Sequence, residues 1–480
     1  MPRACFQTLA RWPENAVFYG GVYYTTMVHT IELTYYLTIT EFLKLLPSIR
    51  STPNFDGHRL DLFLQEEASL FEFASNHVGI IHLKATRADN FSGIVFLKIT
   101  VDLQSLMLGV MTKDLFVPDY VGIKNVCHAY YKAMLGIFPV LADYEIDVAS
   151  IMLHHDKSTC TNMGIAAIPY FLLGKTSRLD YSYNLLACNN YELTQELMRK
   201  SVFDPRLKVD TYNENGNFYA YSGKAASKNR SSAIKAYSKE EYYRVCCEKE
   251  GNADIYIPLI EDSRNIIRYE ISRYKVEKRW IINNYGLSRS WLDSPFLRSP
   301  IVLLDAEKCD NILKNDYDKH IGNGDWYARK KLASNINQSC LSTRLKNILL
   351  KEVLPLVRQS RSVQVGYQNY TKGYRLSHVD GEIKGSAESF KNHRKKCLEL
   401  GSQMLSIPDL RYDEDGKPVK CVENPIKNII QPPSNTSIEY DIPKEIKTNL
   451  NAMLYLLWIR LGRKVPCLSP APNISFRCIA

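Results

Sequence analysis

A tyrosine, a lysine and a carboxylate share the run Ala236-Tyr237-Ser238-Lys239-Glu240-Glu241, and a further carboxylate sits in Ile266-Ile267-Arg268-Tyr269-Glu270-Ile271, about thirty residues on. Such residues suit the breaking and rejoining of a phosphodiester. A tyrosine phenolate can attack phosphorus and keep the bond energy as a phosphotyrosine ester, which a 3′-hydroxyl later reverses. The transition state spreads negative charge over the phosphoryl oxygens, where a lysine and a divalent metal held by carboxylates would stabilise it. Tyr237, Lys239 and Glu270 supply those types. Asp147, in Tyr144-Glu145-Ile146-Asp147-Val148, is a candidate second metal carboxylate, and Glu241 a third ligand or a base. Composition does not single out Tyr237, since the chain holds 31 tyrosines. Glu270 has a plainer alternative as an ion-pair partner of Arg268 or Lys235.

These residues need strands to hold them. Ser232-Ala233-Ile234-Lys235-Ala236-Tyr237 alternates apolar and polar residues and reads as a strand. Carried two residues further, it would set Tyr237 and Lys239 on one face. In the second run Ile267, Tyr269 and Ile271 share one face, and Arg268, Glu270 and Ser272 the other. That second face is too charged for core and is expected to meet solvent, a metal or a phosphate.

His154-His155-Asp156 is a weaker metal candidate. Neighbouring strand residues point to opposite faces, so both histidines cannot chelate one ion there. An oxygen-rich site suited to magnesium or manganese is the expectation instead. The stretch 224–244 interleaves tyrosines with lysines and arginines. It suits single-stranded DNA, with rings stacked on bases and cations along phosphates, or else a solvated hairpin.

Over the whole chain, 480 residues allow two or three domains, and a net charge of +10 favours a polyanionic partner. The 12 cysteines form no CxxC pair, which argues for reduced cytoplasmic thiols and against zinc or a disulfide framework. No apolar run approaches the roughly 20 residues that span a bilayer, so no membrane role is expected. The stretch from Met1 to Tyr36 lacks a signal-peptide pattern, and Met27, where a strand pattern begins, is a candidate translation start alongside Met1.

Strand patterns recur at 30–37, 79–84, 93–101 and 144–153, with helical patterns at 40–46 and 121–141. Asn215-Gly216 marks a hairpin between 209–212 and 218–221. The mixture argues for an α+β domain over 27–290, with a mainly antiparallel sheet and helices on one face. A smaller, mainly helical domain is expected over 330–480, with helices at 341–358, 389–405 and 450–461. Residues 412–442 read as loop or linker. Phe390, Cys397 and Leu400 would give the second helix its apolar stripe. Its basic cluster, His393, Arg394, Lys395 and Lys396, would be a surface for DNA or solvent.

Several motifs together resemble the gene II type replication initiators of filamentous phages and related plasmids. The pattern apolar-x-apolar-Tyr-x-Lys-x-x-Glu is similar to residues 233–241, and Arg-aromatic-Glu-apolar-x-apolar to residues 268–273. A glycine-marked strand is similar to 217–223 and an aspartate-bearing strand to 144–150. Tyr374-Arg375-Leu376 and Phe390 through Gly401 resemble the family's C-terminal motifs. The match covers roughly 90–405 as scattered motifs. The resemblance implies a rolling-circle initiator in a host bacterial cytoplasm, with Tyr237 as nicking tyrosine, Lys239 beside it and Glu270 in the site. Its implied partners are double- and single-stranded origin DNA, host helicase and host polymerase. Glu145 replaces a frequent arginine, and Tyr242-Tyr243 replaces an aliphatic residue, which leaves Tyr242 or Tyr243 open as nucleophile. A mobilisation relaxase and a non-catalytic DNA-binding protein or repressor are the rival readings.

Overall fold

Among the described residues nine strands form one sheet in the order β2-β3-β4-β1-β5-β9-β8-β7-β6, and every neighbouring pair is antiparallel. The strands are β1 Met27–Thr38, β2 Leu70–Phe73, β3 Ile80–Ala88, β4 Phe91–Asp102, β5 Lys175–Leu186, β6 Leu207–Thr211, β7 Phe218–Ser222, β8 Ser232–Ser238 and β9 Ile266–Arg273. This is a computed structural model, and it describes residues 27–464 except 89–90, 145, 147–162, 188–190, 205–206, 212–217, 223–231, 275, 378–380 and 414–415. The expected α+β class with an antiparallel sheet holds. The expected strand at 144–153 lies almost wholly outside the described residues, as do Asp147, the triplet 154–156, the turn 213–217 and the first part, 224–231, of the basic stretch 224–244.

Period-two alternation builds the core face. Ile31, Leu33, Tyr35 and Leu37 of β1 are buried, as are Leu179, Tyr181, Tyr183 and Leu185 of β5 and Ile267, Tyr269 and Ile271 of β9. Helices cover this side. Tyr317, on the helix Ala306–His320, packs edge-on against Tyr269 with ring centroids 4.9 Å apart. Thr38 and Glu41 form a reciprocal capping box that turns β1 directly into the helix Ile39–Arg50, which buries Phe42, Leu45 and Ile49.

After β9 the described chain is mainly helical, with one short strand pair, Trp326–Tyr327 with Cys421–Val422. The helix expected over 341–358 runs as Thr343–Ile348, a π turn Leu349–Val353 and Leu354–Ser360. Residues 412–442, expected as loop or linker, are irregular where described except for the strand Cys421–Val422 and a 3-10 turn at Pro425–Lys427, and they do not hang free. Ile430 N–H donates to Asn184 O at 2.8 Å, and Leu186 N–H to Asn428 O at 2.9 Å, so this stretch seals the end of β5. The helix Lys444–Arg460 packs on Tyr120–Ile137, where Asn451 bonds His128 at 2.9 Å.

Candidate active site

The second face of the sheet is polar by register. Lys235 of β8 stands opposite Glu270 of β9, and Tyr237 opposite Arg268. On the far side of β9, Ser182 of β5 faces Glu270 and Asn184 faces Arg268. Paired residues share a face, so these groups converge on the side away from Ile267, Tyr269 and Ile271.

A bulge adds two more. Between Val28 and Ile31 the β1–β5 register slips: Val28 pairs with Tyr181 and Ile31 with Leu179, so β1 carries one extra residue. His29 and Thr30, adjacent in sequence, therefore both line the same cleft. Thr30 Oγ1 donates to Asp180, and His29 Nδ1 lies 3.1 Å from Glu270 Oε2.

Arg268, Glu270 and Ser272, expected to face solvent, metal or phosphate, are not open to bulk solvent. They are 0%, 2% and 0% exposed. Protein groups answer their charges instead. Arg268 Nε donates to Asn184 Oδ1 at 3.0 Å, and its Nη2 to the carbonyl of Lys113, on a segment that folds over this part of the sheet. Glu270 Oε1 accepts from Lys235 Nζ at 2.6 Å. Glu270 Oε2 accepts from Tyr237 Oη at 3.4 Å as well as from His29.

Burial alone would push the Glu270 carboxyl up, but the Lys235 ammonium and the His29 hydrogen bond outweigh it and hold the group well below its ordinary range. Burial, and then the Glu270 charge, push the Tyr237 phenol well above its ordinary value. Burial, and then Arg268, push His29 down, which favours the neutral ring. The resting site thus holds an ionised carboxylate, a charged Lys235 and a neutral phenol.

Lys239 is not on the strand. β8 ends at Ser238, whose side chain accepts from Glu241 N–H at 3.0 Å and caps the helix Lys239–Glu250. Ser238-Lys239-Glu240-Glu241 is the Ser-x-x-Glu pattern of a helix start, a signal that outranked the strand reading. Lys239, expected beside Tyr237, sits next to the cleft and does not line it. It is 2% exposed, with Nζ 4.4 Å from the ring centroids of both Tyr242 and Tyr243. Burial, and then Arg268, lower its pKa well below that of an ordinary lysine. The cation on Glu270 is Lys235.

The groups open into a cleft of about 720 Å³, whose lining includes Arg178, Lys235, Tyr237, Glu241, Tyr242 and Glu270. Tyr243 is turned away, its hydroxyl donating to Thr112 O at 2.9 Å. Tyr242 is 46% exposed on the cleft wall, its ring centroid 6.0 Å from that of Tyr237.

Glu270 and Glu241 both line the cleft, but the described residues do not fit a magnesium or manganese site. Both Glu270 oxygens already carry protein donors. Among the described residues no three of His, Cys, Asp and Glu converge to hold a metal. Asp147, the other expected ligand, lies outside the described residues.

Sequence reasoning missed His29, Asp180 and Arg178. Arg178 Nη2 lies 2.5 Å from Asp180 Oδ2 on β5. The run Leu179-Asp180-Tyr181-Ser182-Tyr183-Asn184-Leu185 alternates fully and could have signalled that strand. Nothing local signals the bulge.

The chain matches no protein-family model and no curated protein. Among solved structures it is similar to a rolling circle replication initiator protein from Geobacillus stearothermophilus, at 10% identity and a TM-score of 0.20, over 60% of this chain and 96% of that one. A likeness that slight carries no argument about function. Among the described residues no helix is long and apolar enough to cross a membrane.

Proposed function

We propose that this chain is a rolling-circle DNA replication initiator, a strand-specific nicking and joining endonuclease of the gene II kind. The observation that carries the reading is the Tyr237 hydroxyl resting 3.4 Å from the Glu270 carboxylate inside an open cleft, with Lys235 on the other carboxylate oxygen. Two of the motifs that resemble the gene II initiators, residues 233–241 and 268–273, supply the two members of that contact.

In this reading the phenolic oxygen forms a new bond to the scissile phosphorus as its proton passes to Glu270. The bond from phosphorus to the 3′ oxygen breaks, and that oxygen takes a proton from water and leaves as a 3′-hydroxyl. The 5′-phosphate stays on Tyr237. A raised phenol pKa means little phenolate at rest, so proton transfer and attack occur together. Lys235 offsets charge developing on the phosphoryl oxygens. In the return reaction a 3′-hydroxyl gives its proton to water as its oxygen attacks the phosphotyrosine; the bond from phosphorus to the phenolic oxygen breaks, and Tyr237 recovers its proton from Glu270. Host polymerase would extend the free 3′ end and host helicase open the duplex, both in the bacterial cytoplasm.

The test is incubation of the purified chain with its own supercoiled replicon and magnesium, wild type against Tyr237→Phe. Nicked circles lost in the variant support the reading. Nicking that survives moves the nucleophile, with Tyr242 next. Wild type that binds DNA and never nicks leaves a non-catalytic DNA-binding protein.

A further inference from the structure

The basic surface of this protein is not where the helix 389–405 would put it. In the observed helix Ala387–Glu399, His393 and Arg394 are buried, and Arg394 stacks its guanidinium over Phe203 while donating to Lys319 O at 3.1 Å. Lys395 and Lys396 are drawn to Glu399. That helix has little free charge to offer.

The charge lies just before it. Residues 329–375 hold ten lysines and arginines and one acid, Glu352, so they carry nine of the chain's ten net positive charges. Arg329, Lys330, Lys331, Arg344, Lys351 and Arg361 are all exposed. The helices Arg329–Gln338 and Leu354–Ser360 bring their cations together. The half-buried Arg358 is lowered by burial and then by Arg329, a like charge from the other helix, with Asp409 opposing them. Asp409, which also accepts from Lys330 N–H at 2.9 Å, is one carboxylate among these cations, and a polyanion would answer the rest.

We infer that the helical unit 329–375 is a docking surface for the phosphate backbone of duplex DNA, separate from the cleft. It rests on the reading above only for the nucleic acid being DNA. Two observations choose the occupant. The three aromatic rings of this unit are engaged: Tyr367 and Tyr370 both pack on Phe390, at centroid distances of 5.6 and 5.5 Å, and Tyr374 is half-buried against the core, so they are not free to stack on splayed bases as single-strand binders require. Val365 is the one large hydrophobic in 329–375 that stands exposed, so there is no apolar face to enter a membrane surface. What remains is exposed cations on a helical scaffold, which fits backbone contact without base readout.

The test uses the full chain with Lys330, Lys331, Arg344 and Lys351 all changed to glutamine. A control chain loses the same charge elsewhere, with Lys314, Lys391, Lys395 and Lys444 changed to glutamine; all eight positions are exposed. Binding to a fluorescent random-sequence duplex is followed by anisotropy from about 50 to 200 mM salt. The first variant is expected to bind about tenfold or more weakly, its salt slope reduced by about 0.9 for each lost phosphate contact. The control should stay near wild type, as should oligo-dT binding by the first variant. Equal weakening in both variants would reduce the effect to net charge and overturn the inference. So would an unchanged first variant, or preferential binding of wild type to phosphatidylserine vesicles. Loss of duplex binding in a chain that never nicks would keep this surface and sink the initiator reading alone.

Discussion

The Tyr237 hydroxyl and the Glu270 carboxylate meet 3.4 Å apart on adjacent antiparallel strands, although 33 residues of sequence separate them. They do not stand directly opposite, since Tyr237 pairs with Arg268. The contact is a diagonal one, two residues along β9, within reach of a long aromatic side chain.

Glu270→Gln should destabilise the fold, because Lys235 and His29 lose the charge they bond. Lys235 keeps some access to water, so the loss should be about 1–3 kcal/mol rather than the larger cost of a sealed pair. Chemical denaturation reads it as a lower midpoint with an unchanged slope. An unchanged midpoint would mean that the ion pair contributes nothing.

Ser238→Ala should cost about 1 kcal/mol through the lost cap. It should also loosen Lys239, Glu241 and Tyr242, all on the first turns of the helix that Ser238 starts, so turnover should fall more than stability explains. Parallel melting and nicking measurements check this. Ser238→Asp, which can still cap, should restore both.

Acid should weaken the fold in two windows. His128 and His320 are each pushed down to about 4 by burial, from an ordinary 6.5. Between those values the unfolded chain binds more protons, so stability is lost as pH falls from 6.5 towards 4, by at most about 3 kcal/mol for each histidine. Glu270 is held below its ordinary range, so its contribution is present above that range and is lost as pH falls through the folded value. His128→Gln and His320→Gln should each flatten the first window in denaturation curves taken across pH. A slope unchanged in both variants would contradict the assignment.

Much of the site was legible where the pattern is local. The alternation of residues 232–237 and 266–271 yields β8 and β9 and places Tyr237 and Glu270 on their strands. Lys239 was misplaced because a two-residue extension of a strand and a Ser-x-x-Glu helix start compete over the same residues, and the cap won. Burial of Arg268 was not legible, because its partners Asn184 and the Lys113 carbonyl come from distant segments. The joint arrival of His29 and Thr30 depends on a bulge set by the β1–β5 register, which no window of β1 contains. Burial of Arg394 under Phe203 is long-range in the same way.

The most direct test of the central claim is to trap the covalent product. Wild-type protein is reacted with origin DNA, the DNA is digested to a short remnant, and tryptic peptides are sequenced by mass spectrometry. A nucleotide mass on Tyr237, joined through a 5′-phosphate and absent from Tyr237→Phe, is the predicted result. A remnant on Tyr242, or no remnant on any tyrosine despite nicked DNA, would contradict it.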